Sequence, residues 1–203
     1  MSHVQAPDAE LCYFPGFIPA DEANHLQQHL IEQLTWRQDS IHLFGQQRLI
    51  PRLQCFQGDA GLTYRYSRLT LNAEPWNPDV ATLRKRLLDL GHDFNCVLIN
   101  LYRDGNDSMG WHSDDEPELG TNPVIASLSL GQTRQFKMRH KQTGEKLDIA
   151  LEHGSLLLMS GPTQHHWQHA IMRSKRPMSE RINLTFRSIP ALSQEACFYK
   201  NQP

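Results

Sequence analysis

Arg181-Ile182-Asn183-Leu184-Thr185-Phe186-Arg187 alternates polar and apolar residues without a break. A period of two is a strand, so Arg181, Asn183, Thr185 and Arg187 share one face and Ile182, Leu184 and Phe186 the other. Two environments satisfy that pattern. A half-exposed strand turns its apolar side to a core and its arginines to water. A strand in a barrel wall turns the arginines inward and packs the apolar side under an outer layer. An inward guanidinium needs an anion, and its planar fork matches a carboxylate through two parallel hydrogen bonds. Two such forks six residues apart could hold both ends of a short dicarboxylate.

Outward from this strand, the period of two persists back to about residue 95. Phe94–Leu101 is a near-continuous apolar run. Ala126, Leu128 and Leu130 alternate with serines, Phe136 and Met138 with charged neighbours, and Leu147, Ile149 and Leu151 repeat the pattern before the apolar Ser155–Met159. Short strands separated by Gly, Pro and Asn indicate a sandwich or barrel rather than βαβ units. Earlier in the chain the period is helical. Ala23, Leu26, Leu30, Ile31 and Leu34 follow Asp21; Val80, Leu83, Leu87 and Leu90 follow Asn77-Pro78, a cap and a first-turn proline, with Gly91 just past the end. Residues 44–71 mix Gly, Arg, Gln and aromatics and read as hairpins and loops over the main sheet.

The chain has 203 residues, net charge −2 and four cysteines in no metal-binding spacing. A chain this long buries roughly 70% of its extended surface, so one core suffices without disulfides. The cysteines read as reduced thiols. No apolar run approaches the roughly 20 residues of a membrane span, and MSHVQAPDAE lacks a leader's apolar core. The expectation is a monomer away from membranes and not secreted, cytoplasmic in a bacterium or nuclear in a eukaryote. The near-zero total hides segregation. Residues 1–47 hold six acids and one base, and residues 104–118 six carboxylates and no base. Arginines gather at 48–68, bases without acids at 134–141, and five bases against Glu180 at 173–187. Steering depends on local fields, so this suits a polyanion-facing surface; ordinary mixed surface charge is the alternative.

The most informative chemistry lies in Trp111-His112-Ser113-Asp114. On a strand His112 and Asp114 share a face and can offer an imidazole and a carboxylate to one ion. A distant histidine would complete a two-histidine, one-carboxylate set, which leaves coordination positions open and suits non-haem Fe(II) that activates O2. A surface turn is the alternative for His-x-Asp alone. His165, His166 and His169 all offer the third ligand; spacing does not choose among them, they read as loop residues, and the three together could instead bind zinc.

Taken together, Asn100-Leu101-Tyr102, Trp111-His112-Ser113-Asp114-Asp115-Glu116, Ile125-Ala126-Ser127-Leu128-Ser129-Leu130-Gly131, His153-Gly154-Ser155-Leu156, Trp167-Gln168-His169 and the 181–187 strand resemble the AlkB family. These are Fe(II)- and 2-oxoglutarate-dependent dioxygenases that repair alkylated nucleobases. The likeness runs from about Arg48 to Arg187, and each piece alone is unspecific. It implies a mainly β (α+β) fold, a double-stranded β-helix or jelly roll with N-terminal helices. One domain, 1–203, would hold an N-terminal extension and helix (1–43), a nucleotide-recognition lid (44–70) and a catalytic core (94–188). It implies His112, Asp114 and His169 as iron ligands. Arg181 would clamp the distal carboxylate of 2-oxoglutarate and Arg187 support the chelating end, with Asn100, Tyr102, Asn183 and Thr185 as further contacts.

The same resemblance implies a substrate pocket of Tyr64, Tyr66, Trp167, Asp115, Glu116 and Arg52, with Phe44 in Leu43-Phe44-Gly45 as a wedge for duplexes. An enzyme acting on a base must take it from the stack, so an aromatic slot beside the metal has a physical reason. The implied reaction couples decarboxylation of 2-oxoglutarate by O2 to hydroxylation of an N-methyl group and release of formaldehyde. Substrates would be 1-methyladenine or 3-methylcytosine in alkylated DNA, single- or double-stranded. Alternatives are the same scaffold acting on RNA, protein or a small molecule, and a damaged-nucleic-acid binding module without catalysis.

Overall fold

The computed structural model describes residues 1–43, 46–66 and 69–190. The first half of the chain runs β1 (Ser2–Val4), β2 (Glu10–Phe14), α1 (Ala20–Gln33), β3 (Ser40–Leu43), β4 (Gln46–Leu49), β5 (Leu53–Gly58), β6 (Thr63–Tyr66), β7 (Leu69–Asn72) and α2 (Pro78–Asp89). The second half runs β8 (Cys96–Tyr102), β9 (Met109–His112), β10 (Ile125–Gly131), β11 (Arg134–His140), β12 (Lys146–Leu151), β13 (Ser155–Ser160), α3 (Thr163–His166), β14 (Trp167–Ile171) and β15 (Arg181–Arg187). None of the described helices is long and apolar enough to cross a membrane.

The strands form a seven-stranded antiparallel sheet, β1-β2-β13-β10-β15-β8-β5, and a four-stranded one, β12-β11-β14-β9. One apolar cluster joins them: Leu98, Leu157 and Met159 of the large sheet pack with Phe136, Met138, Ile149 and Ile171 of the small one. A second cluster lies on the other face of the large sheet, where α1 and α2 bring Leu26, Leu30, Val80, Leu83 and Leu87 against Leu128, Leu156, Ile182, Leu184 and Phe186. This is the two-sheet jelly roll with a helical layer outside. Every residue of β15 is buried. Its alternation therefore separates two interiors, an apolar one under the helices and a polar one between the sheets.

Local chemistry accounts for the helices. Asn77 caps α2 by accepting the N–H groups of Asp79 and Val80, Pro78 opens its first turn, and Gly91 follows at φ 89°. α1 starts at Ala20 after Pro19 without a side-chain cap, and Asp21 and Glu22 sit in its first turn, where the helix dipole favours negative charge.

Three expectations need correction. The N-terminal segment is more than an extension, because β2 pairs with β13 inside the large sheet. The 44–71 segment is not all loops and hairpins over the sheet: hairpins β3–β4 and β6–β7 flank β5, which is itself an edge strand paired with β8. Residues 163–171 form α3 and β14 rather than a loop, since Trp167 and His169 bury on the inner face while β14 pairs with β11 and β9.

Candidate metal centre and anion pocket

His112 ends β9, an edge strand, and His169 stands directly opposite it on β14. Asp114 lies past the end of β9, so strand alternation does not place it. Its backbone N–H donates to Gln164 Oε1 at 2.9 Å, and the neighbouring Ser113 hydroxyl donates to the Trp167 carbonyl at 2.9 Å. These buried bonds tie the turn to α3 and β14, bringing the carboxylate beside the histidines.

The three side chains converge, with one ligand atom from each of His112, Asp114 and His169 within 4.8 Å of the others. The two imidazole Nε2 atoms are 3.1 Å apart, and Asp114 Oδ2 is 4.0 Å from His169 Nε2. His112 Nδ1 is 2.9 Å from the Gly110 carbonyl, which can only accept, so Nδ1 carries the proton and Nε2 keeps its lone pair. His169 stacks on Phe136. Burial and the neighbouring His112 push its imidazole down to about 3, so it is neutral at physiological pH. Burial alone would raise Asp114, but Arg187, 2.8 Å away, and the two imidazoles hold it at about 2. The centre thus offers two neutral imidazoles and one carboxylate, a donor set that Fe(II) takes.

A second trio, Asp8, His140 and His166, also brings ligand atoms within 4.8 Å. There the Gln142 and Thr143 N–H groups donate to His140 Nδ1, which places the proton on Nε2 facing Asp8. His140 has no lone pair free for an ion in this arrangement; it latches the N-terminal segment to β11. His166 stacks on His140, so among the described residues His165, His166 and His169 do not converge.

Beside the first trio lies a cavity lined by Asn100, Tyr102, Ser127, Asn183, Thr185 and Arg187 together with Met109, Phe136 and Ile171. Arg187 Nη2 donates to Asp114, its Nε has no partner, and its guanidinium lies over the Tyr64 ring. Asn183 donates to Ser127 Oγ and the Leu128 carbonyl, while Thr185 donates to Asn183 Oδ1. Asn100 Oδ1 accepts from Arg52 Nε at 2.9 Å. Arg181 stands behind Tyr102, 5.2 Å from its ring, without exposed surface. Its Nη2 donates to Ser129 Oγ, but Nε and Nη1 have no partner, and burial lowers its pKa to about 10. A buried guanidinium with two idle donors is costly unless an anion completes it. A carboxylate there is the simplest completion.

These observations can be set beside known proteins. The family model described as the 2OG-Fe(II) oxygenase superfamily matches residues 10–187. DNA oxidative demethylase ALKBH2 of Mus musculus is 42% identical over 183 residues, which cover 86% of this chain and 77% of that protein. This chain belongs to the AlkB family. Human alpha-ketoglutarate-dependent dioxygenase alkB homolog 3 is 41% identical over 192 residues, 89% of this chain and 66% of that protein, so the chain spans just under two thirds of that relative. The solved structure of OsALKBH1 shares the fold, with a TM-score of 0.64 at 16% identity, covering 91% of this chain and all of that one. Oxygenases of this superfamily use Fe(II), 2-oxoglutarate and O2.

In this AlkB-family chain the expected substrate residues scatter. Tyr64 is buried and stacks on Phe56, and burial pushes its phenol far up. Glu116 is half-buried near it; burial and the Asp114 charge raise its carboxyl to about 7. Arg52 is buried against Asn100. Asp115 instead points outward and pairs with Lys141 at 3.0 Å. Trp167 does not line the cavity: its fully buried indole donates to the Pro7 carbonyl and meets His140 edge-on. Phe44 and the Tyr66 side chain lie outside the described residues. Gln164 opens Gln164-His165-His166 and carries no sign of its role in the sequence, because an amide that caps a metal-ligand turn has no spacing signature.

Proposed function

We propose that this chain is an Fe(II)- and 2-oxoglutarate-dependent dioxygenase that demethylates N-alkylated bases such as 1-methyladenine and 3-methylcytosine in DNA, acting as a monomer. The observation that carries the reading is the cavity at which His112, Asp114 and His169 meet beside the Arg187 guanidinium, with the partly unpartnered guanidinium of Arg181 behind Tyr102 in its wall. The name DNA oxidative demethylase, borne by a relative at 42% identity, supports the substrate class. When bound, iron supplies with 2-oxoglutarate and O2 the oxidative hydroxylation of an N-methyl carbon, whose product breaks down to formaldehyde and the repaired base.

This chain's residues do the positioning. His112, Asp114 and His169 would hold the metal. Arg187 keeps Asp114 ionised and oriented. Arg181 binds the far carboxylate of the cosubstrate, with Asn100, Tyr102, Asn183 and Thr185 beside it. Tyr64, Glu116 and Arg52 form the side on which the base is received, and Phe44 is the wedge for duplex DNA. Mass spectrometry of a 1-methyladenine oligonucleotide incubated with protein, Fe(II), 2-oxoglutarate and ascorbate tests this. Loss of the methyl mass with the wild type, and not with Asp114→Ala, is expected; an unchanged oligonucleotide in both sinks the reading. Comparing duplex and single strands with Phe44→Ala tests the wedge, which requires the larger loss on the duplex.

A further inference from the structure

Of the basic side chains at 134–141, one is buried. Arg134 opens β11, is 2% exposed and does not line the cavity. Its Nη1 donates to the Asp104 carbonyl at 3.2 Å, and its Nη2 to the carbonyls of Asp107 and Met172 at 3.0 and 2.7 Å. Asp104 and Asp107 belong to the loop from β8 to β9, and Met172 opens the loop from β14 to β15. One side chain on a third strand thus joins two loops distant in sequence. The loops also meet directly. The Ser174 N–H donates to the Gly105 carbonyl at 2.8 Å, and a Cβ at Gly105 would lie 2.8 Å from the Ser174 carbonyl oxygen and 3.0 Å from that of Arg176. Within the first loop, Arg103 Nε and Nη2 donate to the two Asp107 carboxylate oxygens at 2.8 and 2.9 Å.

Both loops spring from the cavity wall. The first runs from Tyr102 to Met109, the second leaves Ile171 and ends at Arg181, and Tyr102, Met109 and Ile171 all line the cavity. Tyr102 stands opposite Arg181 in the β8–β15 register. Two guanidinium groups approach its ring, that of Arg181 at 5.2 Å and that of Arg134 at 5.7 Å from the centroid. A cation held near an aromatic ring restrains it. The two arginines differ in what they have left to give: Arg134 spends Nη1 and Nη2 on backbone carbonyls, whereas Arg181 keeps two donors idle. A planar guanidinium meets several carbonyls at fixed angles, which a single ammonium on a flexible stem does not reproduce.

We infer that Arg134 is a positioning residue for the cosubstrate: by fastening the β8–β9 loop to the β14–β15 loop, it holds Tyr102 and Arg181 in the arrangement that receives the far carboxylate of 2-oxoglutarate. The inference rests on the placement of that carboxylate at Arg181 given above, and adds a group that touches neither cosubstrate nor metal. Arg134 acts by fixing the wall in advance, so that the ligand does not have to immobilise it on binding.

The test is calorimetric titration of 2-oxoglutarate into the Co(II)-loaded protein without O2, for the wild type, Arg134→Met, Arg134→Lys and Gly105→Ala. Arg134→Met is expected to raise the 2-oxoglutarate Kd about tenfold, the worth of a side chain that binding must newly immobilise. Co(II) affinity should stay at the wild-type value. Arg134→Lys keeps the charge but loses the fork, so it should recover little of the loss. Gly105→Ala leaves Arg134 and Tyr102 in place and presses the loops apart, at a φ outside the left-handed region. It should raise the Kd in the same direction, and it carries the test should the Arg134 variants fail to fold. In all three ligand-free variants the Ser174 amide should exchange its hydrogen faster than in the wild type. A wild-type Kd in Arg134→Met and Gly105→Ala overturns the latch and leaves the demethylase reading intact. Full recovery in Arg134→Lys overturns it too, since charge alone would then suffice, as does a parallel loss of Co(II) affinity, the mark of general loosening. A wild type that binds Co(II) but no 2-oxoglutarate overturns the parent reading, and the latch falls with it.

Discussion

Arg181 has no exposed surface, one hydrogen bond to Ser129 and two nitrogens without a partner. Its sign in stability is therefore opposite to its sign in binding. Arg181→Met should leave the ligand-free protein as stable as wild type or raise its melting temperature, because a well-packed apolar chain replaces a charge that burial disfavours. It should weaken 2-oxoglutarate binding by roughly 10- to 100-fold, the worth of a charge-assisted pair. Calorimetric titration of cosubstrate and a thermal melt read the two effects, and a destabilised variant with normal affinity would reverse the assignment. Gln164 acts at one remove, by accepting the Asp114 N–H. Gln164→Ala should lower Co(II) affinity by about 10- to 100-fold, the usual cost of losing a group that orients a ligand. The visible spectrum of the Co(II) form should shift with it, whereas a purely structural amide would leave that spectrum unchanged.

At the scale of elements, the turns bind the layers together. Gly144 in the β11–β12 turn and Gly154 in the β12–β13 turn share φ 73°, but their surroundings differ. A Cβ at Gly144 would meet nothing within 4 Å; one at Gly154 would lie 2.3 Å from the Ile18 carbonyl oxygen, on the segment leading into α1. Gly144→Ala should cost only the left-handed backbone penalty, about 1–2 kcal/mol. Gly154→Ala should cost that and at least about 2 kcal/mol more, since α1 must shift from the sheet. Urea midpoints of the two variants measure the difference, and equal losses would mean that the α1 lead-in is soft. The same packing explains which elements were legible. β15 and α2 announce themselves through periodicity and a cap, whereas α3 and β14 are short and their residues read as a loop. Only pairing with β11 and β9 makes β14 a strand.

For the whole molecule, the buried centre couples folding to pH. His169 stays neutral in the folded chain down to about 3, while an unfolded histidine takes a proton near 6.5. The unfolded state therefore binds more protons between those values, so stability is full above 6.5 and falls as pH drops through the window. Asp114, held at about 2 when folded, adds a loss of the same sign below about 4. The metal-free protein should lose up to about 1.4 kcal/mol per pH unit on His169 alone below 6.5. His169→Leu should flatten that slope in urea titrations from pH 7 to 4.5; an unchanged slope would show that the imidazole titrates freely in the fold.

Alternation, helical spacing and the Asn77-Pro78 cap are consequences of local geometry, so the chain alone determined the strands between about residues 94 and 159 and the 181–187 strand, its two long helices and the identity of the residues rich in donor chemistry. Which face of β15 met which surroundings was beyond it, because period two is the same for a strand facing water and for one buried on both sides. The approach of His169 to His112, the turn that carries Asp114, and the removal of Trp167 and Asp115 from the cavity were decided only by the tertiary structure. They depend on strand pairing and on hydrogen bonds between residues about fifty positions apart, and no local pattern encodes a partner at that distance.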